Sequence, residues 1–527
     1  MQPDDWSHGY VTEQLYTEGF YRELSPAWMN YVAALNGCHP RPIDGAFNYL
    51  ELGCGLGQST SVLAACFPKA QFYGVDFNPS HIDHARIVAR SAGIGNATFL
   101  EKAFDELGDG DLPECDFIAI HGILSWVSPE VQRSIRKLVK RFLKPGGLAY
   151  VSYNAMPGWA ASAPNQKLFY EFSQELSGPV ADRMTRSLAQ TKGLLELKSA
   201  YHQQNEGAVR HLTTLEDKPA NYLVHEYLNG AWQCFYSSDI ADAMAEAKLT
   251  YCGAATLVEN HTELVVAEAA AKLLREQPTD RLRQLLQDFL LAQRFRRDIF
   301  VRGHAHLAGP ATIQNLRRIS FAPTRMLSDS DITVKLPRGE LNFDKESFPA
   351  ICRIVNQGSS TLQDIVARMR AETRLTGDLD RTIHIMAACN LAVPTAQPFV
   401  PPPMPANPVR FDILSPINRA LFASAVETKT RRYLASEVWG NGIPIEPAEA
   451  IALSVFGNAG QGKPISRDKL EDAIREQFVL RNLRPRAAAS STETPEEGMR
   501  RIAKEHAENL FATLLPQLVR AGIATCH

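Results

Sequence analysis

The sequence predicts an α/β fold on a parallel sheet with helices on both faces, and three observations predict it. Between residues 46 and 153, short apolar runs alternate with longer segments of helical period. Such alternation calls for parallel strands joined by crossover helices. The first apolar run, Phe47 to Leu52, opens directly onto Gly53, Gly55 and Gly57. The next, Ala70 to Val75, ends on the carboxylate of Asp76. In open parallel sheets ligands lie beyond the carboxyl ends of the strands, so these two strand ends are expected to form a nucleotide-binding corner.

Taken in order, each strand end then carries a candidate group. The alternating glycines permit a tight turn and let a ligand lie against bare backbone. Their spacing is G-x-G-x-G, because Gln58 departs from the dinucleotide pattern. Glu51 stands just before the turn, where it would repel a pyrophosphate and attract a cation. Cys54 reads as a small residue that suits the turn, not as a nucleophile. Asp76, about 20 residues beyond the turn, is placed to bind two ribose hydroxyls, and Phe77 and Asn78 follow it. The strand near 97–101 ends at Lys102, Ala103 and Phe104; the strand near 116–121 ends at His121, Gly122 and on to Trp126. Lys144-Pro145-Gly146-Gly147 reads as a sharp turn into a fifth strand near 147–153, which delivers Tyr153 and Asn154.

The segments Glu51–Gly57 (E-L-G-C-G-L-G), Gly74–Asn78 (G-V-D-F-N) and Leu143–Gly147 (L-K-P-G-G) resemble class I S-adenosylmethionine-dependent methyltransferases. The resemblance implies a Rossmann-like sheet and S-adenosylmethionine as cofactor. It assigns cofactor binding to Glu51, Gly53, Cys54, Gly55, Gly57, Asp76, Phe77, Asn78, Lys102, Ala103, Phe104, His121 and Gly122. Many members carry an Asp after the third strand. Here Lys102-Ala103-Phe104 stands instead, so backbone groups or Phe104 would have to recognise the adenine. Related enzymes often cover the donor with an N-terminal segment, which makes Tyr10, Tyr16 and Tyr21 lid candidates and adds Tyr16 to the cofactor set. A plain helical layer packed on the sheet is the other reading of residues 1–45.

His121–Val127 (H-G-I-L-S-W-V), Ser152–Gly158 (S-Y-N-A-M-P-G), His225–Leu228 (H-E-Y-L) and Phe295-Arg296-Arg297 resemble bacterial methyltransferases that carry a methyltransferase regulatory domain. The best understood of these are protein-lysine methyltransferases acting on an outer-membrane surface protein, so the resemblance implies a protein substrate. A lysine amine, with pKa about 10.4 in water, must lose a proton before it attacks. Burial among aromatic rings disfavours its charged form. The Tyr153 hydroxyl and the Asn154 amide oxygen are expected to orient the amine, and Trp126 to wall the channel. His121 would either accept the proton through water or pack beneath the cofactor. Asn154-Ala155-Met156-Pro157 lies after the fifth strand and lacks the paired prolines of base-amino methyltransferases, which argues against a nucleic-acid substrate. Two alternatives stay open: a small-molecule or glycan methyltransferase, and a non-catalytic regulator that binds the donor.

A chain of 527 residues exceeds one ordinary domain. The expected units are an N-terminal aromatic segment (1–45), the donor-binding domain (46–160 and 231–268), a helical insertion (161–230) with a possible dimer contact, a middle domain (269–395), a Pro-rich linker (396–408) and a C-terminal helical domain (409–527). Residues 270–303 read as helical, with Arg294, Arg296, Arg297 and Arg302 as a solvated or salt-bridged face. Two short strands at 331–343 and three following helices resemble a winged-helix domain, here favoured as a protein contact. Residues near 482–497 read as a flexible loop. Net charge is -3, against a dedicated nucleic-acid binder. The nine cysteines form no C-x-x-C pair, so neither a disulfide framework nor a metal site is indicated. The chain opens on no signal peptide and shows no run long enough to span a bilayer, so a cytosolic location is expected.

Overall fold

The computed structural model describes residues 19–303, 307–336, 338–372, 378–459, 466–483 and 494–527. Its main sheet has seven strands: β1 (Asn48–Leu52), β2 (Gln71–Asp76), β3 (Ala97–Glu101), β4 (Cys115–Ile120), β5 (Leu143–Asn154), β6 (Leu249–Ala254) and β7 (Phe295–Arg302). Their order is β3-β2-β1-β4-β5-β7-β6. Strands β1 to β5 run parallel, and β7 inserts antiparallel between β5 and β6. The switch point between β1 and β4 therefore carries the glycine turn, where a ligand is expected in such sheets.

Side chains alternate across the strands. Tyr49, Phe72, Phe117 and Tyr150 pack on one face, under helices α1 (Pro26–Leu35), α2 (Gln58–Cys66) and α3 (Pro79–Ser91). Leu50, Leu52, Ile118, Ile120 and Val151 pack on the other face, under α4 (Pro129–Phe142). The helix starts follow from the residues before them. Ser25, Asn78 and Ser128 each accept a backbone N–H of the following helix, and a proline occupies the first helical position each time. α4 buries Ile135, Leu138, Val139 and Phe142 and turns its lysines and arginines outward.

Three expectations are corrected here. Residues 295–302 form β7 and not a helix face: Ile299, Phe300 and Val301 are buried within the sheet, so the donor-binding sheet runs past the expected boundary at 268. The arginines misdirect the reading because Arg296 is itself buried against acidic partners. Lys144–Gly147 is not a turn ahead of the strand. It lies within β5 at a break in register, where Cys115 faces Leu143 but Phe117 faces Leu148. This bulge puts the Lys144 amine 2.8 Å from Asp116. The Pro-rich stretch is no free spacer. Phe399 exchanges backbone hydrogen bonds with Ser359, and Ala396 donates to Val438, so the stretch stitches two domains together.

After β5 the chain makes five helices, α5 (Ala163–Glu175), α6 (Val180–Glu196), α7 (Ala200–Gln204), α8 (Glu206–Thr214) and α9 (Ala220–Tyr227). They close on their own apolar centre of Trp159, Phe169, Met184, Leu212, Leu223 and Tyr227. The middle region holds a three-stranded sheet, Ser320–Pro323 between Ser360–Thr361 and Ala392–Thr395, with the helices Phe348–Val355, Leu362–Glu372 and Leu379–Ala388. Its hairpin, Thr333–Leu336 with Gly339–Asn342, precedes those helices and pairs only with itself. The C-terminal region is not purely helical: Phe411–Ile413 pairs with Ala524–Cys526, and Arg432–Ser436 pairs with Asn441–Ile445. Of the expected loop near 482–497, residues 484–493 lie outside the described residues, and Pro495 already begins a helix capped by Thr494. Among the described residues no helix is long and apolar enough to cross a membrane.

Candidate active site

The glycine turn is held by backbone bonds and by one carboxylate. Gly53 and Cys54 both donate to the Val75 carbonyl. Asp76 accepts the Gly55 amide at 2.9 Å and the Asn78 amide at 2.9 Å, and His81 Nδ1 lies 3.2 Å from it. Gly53, Gly55 and Gly57 all have positive φ, a region side chains avoid. A Cβ on Gly57 would meet Ala85 and Phe99 at 2.5 and 2.7 Å, so that glycine serves packing. A Cβ on Gly55 would meet nothing within 4 Å, so that glycine faces open space. Beneath the turn, the buried Glu51 accepts from the Thr60 hydroxyl, and burial pushes its carboxyl up to about 7. Among the described residues no lysine or arginine pairs with Glu51 or Asp76. Asp76, which has no lysine or arginine partner among the described residues, suits a positively charged ligand, as does Glu51 in its ionised form, and a sulfonium cofactor meets that requirement.

The other predicted donor-side residues divide. Phe104 comes within 3.9 Å of where a Gly53 Cβ would stand, so the structure brings it to the turn. Phe77 follows Asp76, half-buried. The Asn78 side chain is spent on capping α3. Lys102 turns away to Asp111 at 2.6 Å, and the Ala103 amide donates to Glu106. Cys54 is buried, and burial together with Asp76 and Glu51 keeps its thiol protonated. Gly122 has positive φ and donates to the Ser152 hydroxyl at 2.8 Å. His121 lies against Tyr21 with centroids 3.7 Å apart and the rings tilted by 35°, and its Nδ1 lies 2.9 Å from the Tyr150 hydroxyl. Burial and the charge of Arg297 lower its pKa to about 3, so the ring is neutral and a poor proton acceptor. Tyr10 and Tyr16 lie outside the described residues.

Beyond β5 the sequence expectation needs correction. Tyr153 does not face the cleft. Its hydroxyl donates to Asp298 at 2.6 Å inside a buried network of Arg296, Asp298, Asp288 and Tyr251. Neighbouring residues of a strand point to opposite faces, so Tyr153 and Asn154 cannot both line one side. Asn154 stays at the strand end, its amide N–H donating to the Ser125 hydroxyl and its carbonyl accepting from Phe235. Trp126 is buried with its ring against Gly122.

The structure adds residues to which the sequence reading gave no role. Glu226, on α9, is a half-buried carboxyl near Asn154; desolvation raises its pKa to about 7 against the pull of Arg294 and of Asn154. Tyr222 stands one turn earlier on α9, and Tyr21 and Tyr222 both sense the Glu226 charge. The glutamate was visible in His225-Glu226-Tyr227-Leu228, but nothing local distinguishes it from a solvated helix residue. His81 was likewise silent: only the helix start after Asn78 brings it onto Asp76.

Two family models match the chain: a methyltransferase domain over residues 50–149 and a predicted methyltransferase regulatory domain over residues 219–302. The uncharacterized protein sll1526 of Synechocystis sp. is 33% identical over 525 residues, covering 98% of this chain and 100% of that protein. PKMT2 from Rickettsia typhi, solved in complex with AdoHcy, is 16% identical with TM-score 0.67 and covers 94% of this chain and 98% of that one. A second structure of PKMT2 gives 17% identity and TM-score 0.68. Those two structures share the fold across donor domain, insertion and tail.

Proposed function

The chain belongs to the S-adenosylmethionine-dependent methyltransferases that carry a methyltransferase regulatory domain, and on that premise we propose that it methylates the side-chain amine of lysine in a protein. The observation that carries the proposal is the half-buried Glu226 carboxyl near Asn154, whose charge is felt by Tyr21 and Tyr222. An ammonium group is the acceptor such a site draws in, since the carboxylate attracts the cation and the rings admit its aliphatic stem.

When bound, S-adenosylmethionine supplies an electrophilic methyl group on a sulfonium. The residues assigned to hold it are Asp76 for the ribose hydroxyls, the open backbone at Gly55, and Phe104 beside the turn. Asp76, joined by Glu51 in its ionised form, supplies the negative field that a cationic donor needs. On the acceptor side, ionised Glu226 takes one proton from the incoming ammonium and becomes neutral. The amine nitrogen, freed of that proton, keeps its lone pair for attack. The Asn154 side chain, whose Nδ2 is buried without a hydrogen-bond partner among the described residues, is the second polar group near Glu226, and its oxygen would accept from the amine and fix its direction. Alignment of nucleophile and methyl carbon is the main catalytic task in such a displacement. His121, neutral and packed against Tyr21, excludes water.

The test is incubation of the enzyme with methyl-labelled donor and a bacterial lysate. The expected result is label on a protein band that releases methyl-lysine on hydrolysis. Label confined to small molecules or glycans would overturn the proposal.

A further inference from the structure

Arg297 projects from β7 at the register position opposite Ser152. Ser152 in turn accepts the Gly122 amide and lies 3.2 Å from His121 Nδ1, so Arg297 borders the end of β4. Its guanidinium carbon is 5.2 Å from the centre of the Phe295 ring, and its charge is felt by His121, Tyr21 and Tyr150. The side chain is half-buried. Its Nε is buried with no hydrogen-bond partner, and among the described residues no carboxylate lies within ion-pair distance. The adjacent Arg296 shows the contrast, with two aspartates around it. A partly desolvated guanidinium with no counter-ion is costly, and its planar fork matches a carboxylate in two-point geometry.

We infer that Arg297 is a carboxylate-binding residue of this cleft. It comes from the segment that matches the regulatory domain, so that segment contributes directly to ligand binding. Two ligands bring a carboxylate here: the α-carboxylate of the donor's amino-acid end, or an acidic side chain next to the target amine. The position of Arg297 against His121 and Gly122 favours the donor. The inference rests on the donor site and not on the lysine assignment.

Calorimetric titration of the full chain distinguishes the cases. The ligands are S-adenosylhomocysteine and an S-adenosyl thioether lacking the α-carboxylate. Arg297→Gln should raise Kd for S-adenosylhomocysteine about 10- to 100-fold and leave the decarboxylated analogue unchanged. Arg297→Lys, which keeps the charge but not the fork, should lose less. If both donor ligands are unaffected, but KM for a protein acceptor rises and the rise vanishes when its flanking acids are amidated, the carboxylate belongs to the acceptor and the site still stands. Equal weakening of both donor ligands, or no change in donor Kd and acceptor KM, would overturn the inference. The donor arm needs no acceptor, so its failure is separable from a failure of the lysine proposal.

Discussion

At the scale of single residues, the site depends on which groups are free to meet a ligand. Asp76→Ala removes the carboxylate assigned to the ribose and the acceptor for the Gly55 amide. Loss of such charge-assisted bonds costs about 1.5–3 kcal/mol, so donor Kd by calorimetry should rise by at least tenfold; unchanged affinity would remove the ribose assignment. The glycines separate packing from access. Gly57→Ala meets Ala85 and Phe99 and should lower the melting temperature. Gly55→Ala meets no atom, carries only a strain of about 1–2 kcal/mol, and should reduce donor affinity with the fold retained. Glu226 adds a pH signature. Its carboxyl titrates near 7 in the folded chain against an ordinary 4.5, so between those pH values the unfolded chain is charged and the folded site is not. Stability therefore falls as pH rises from about 4.5 to about 7, while His121, held near 3, gains stability between about 3 and 6.5. The difference between wild type and Glu226→Gln in denaturant midpoint isolates the glutamate, and it should shrink toward pH 4.5. The placement of Glu51, Gly53 and Asp76 around one turn was legible because a strand, a turn and a second strand carry them in fixed order. Tyr153 was misread because a side chain at a strand end was counted without its face.

At the scale of elements, β7 joins the donor sheet to the matched regulatory segment. Arg296 bonds Asp298 and Asp288, Tyr153 bonds Asp298, and Gly158 leaves room for the backbone at Ala292 and Gln293. Breaking a buried ion pair by removing one partner costs about 3–5 kcal/mol. Arg296→Met should therefore shift the urea midpoint strongly and reduce turnover by letting Asn154 drift, measured as a fall in kcat. A midpoint unchanged from wild type would show that the network is dispensable. Strands β1 to β5 were readable from apolar runs. β7 was not, because Arg296 and Arg297 break its apolar run and the buried partners of Arg296, Asp288 and Asp298, are identified only by the fold.

At the scale of the whole molecule, the tail rests on the catalytic half. Ser25 donates to the Gly440 carbonyl at 2.6 Å, Asn441 donates to the Arg22 carbonyl, and Tyr31 lies 3.0 Å from His384. Gly440 and Gly442 are approached by Phe67, Phe20 and Val62, so the hairpin Arg432–Ser436/Asn441–Ile445 covers α2. A fragment ending at residue 303 should expose that apolar face and elute as aggregate in size exclusion; a monomeric fragment with full donor affinity would contradict the packing. The sequence announced separate domains but not their contact surfaces, because interdomain packing leaves no local period. The most direct test of the account is tandem mass spectrometry of protein substrates after incubation with S-adenosylmethionine of natural isotopic composition. The account predicts 14 Da steps, about one CH₂ each, localised on lysine Nε with the wild type and sharply reduced with Glu226→Gln, whose affinity for S-adenosylhomocysteine stays unchanged. Methylation at another side chain, or an undiminished yield from Glu226→Gln, would contradict it.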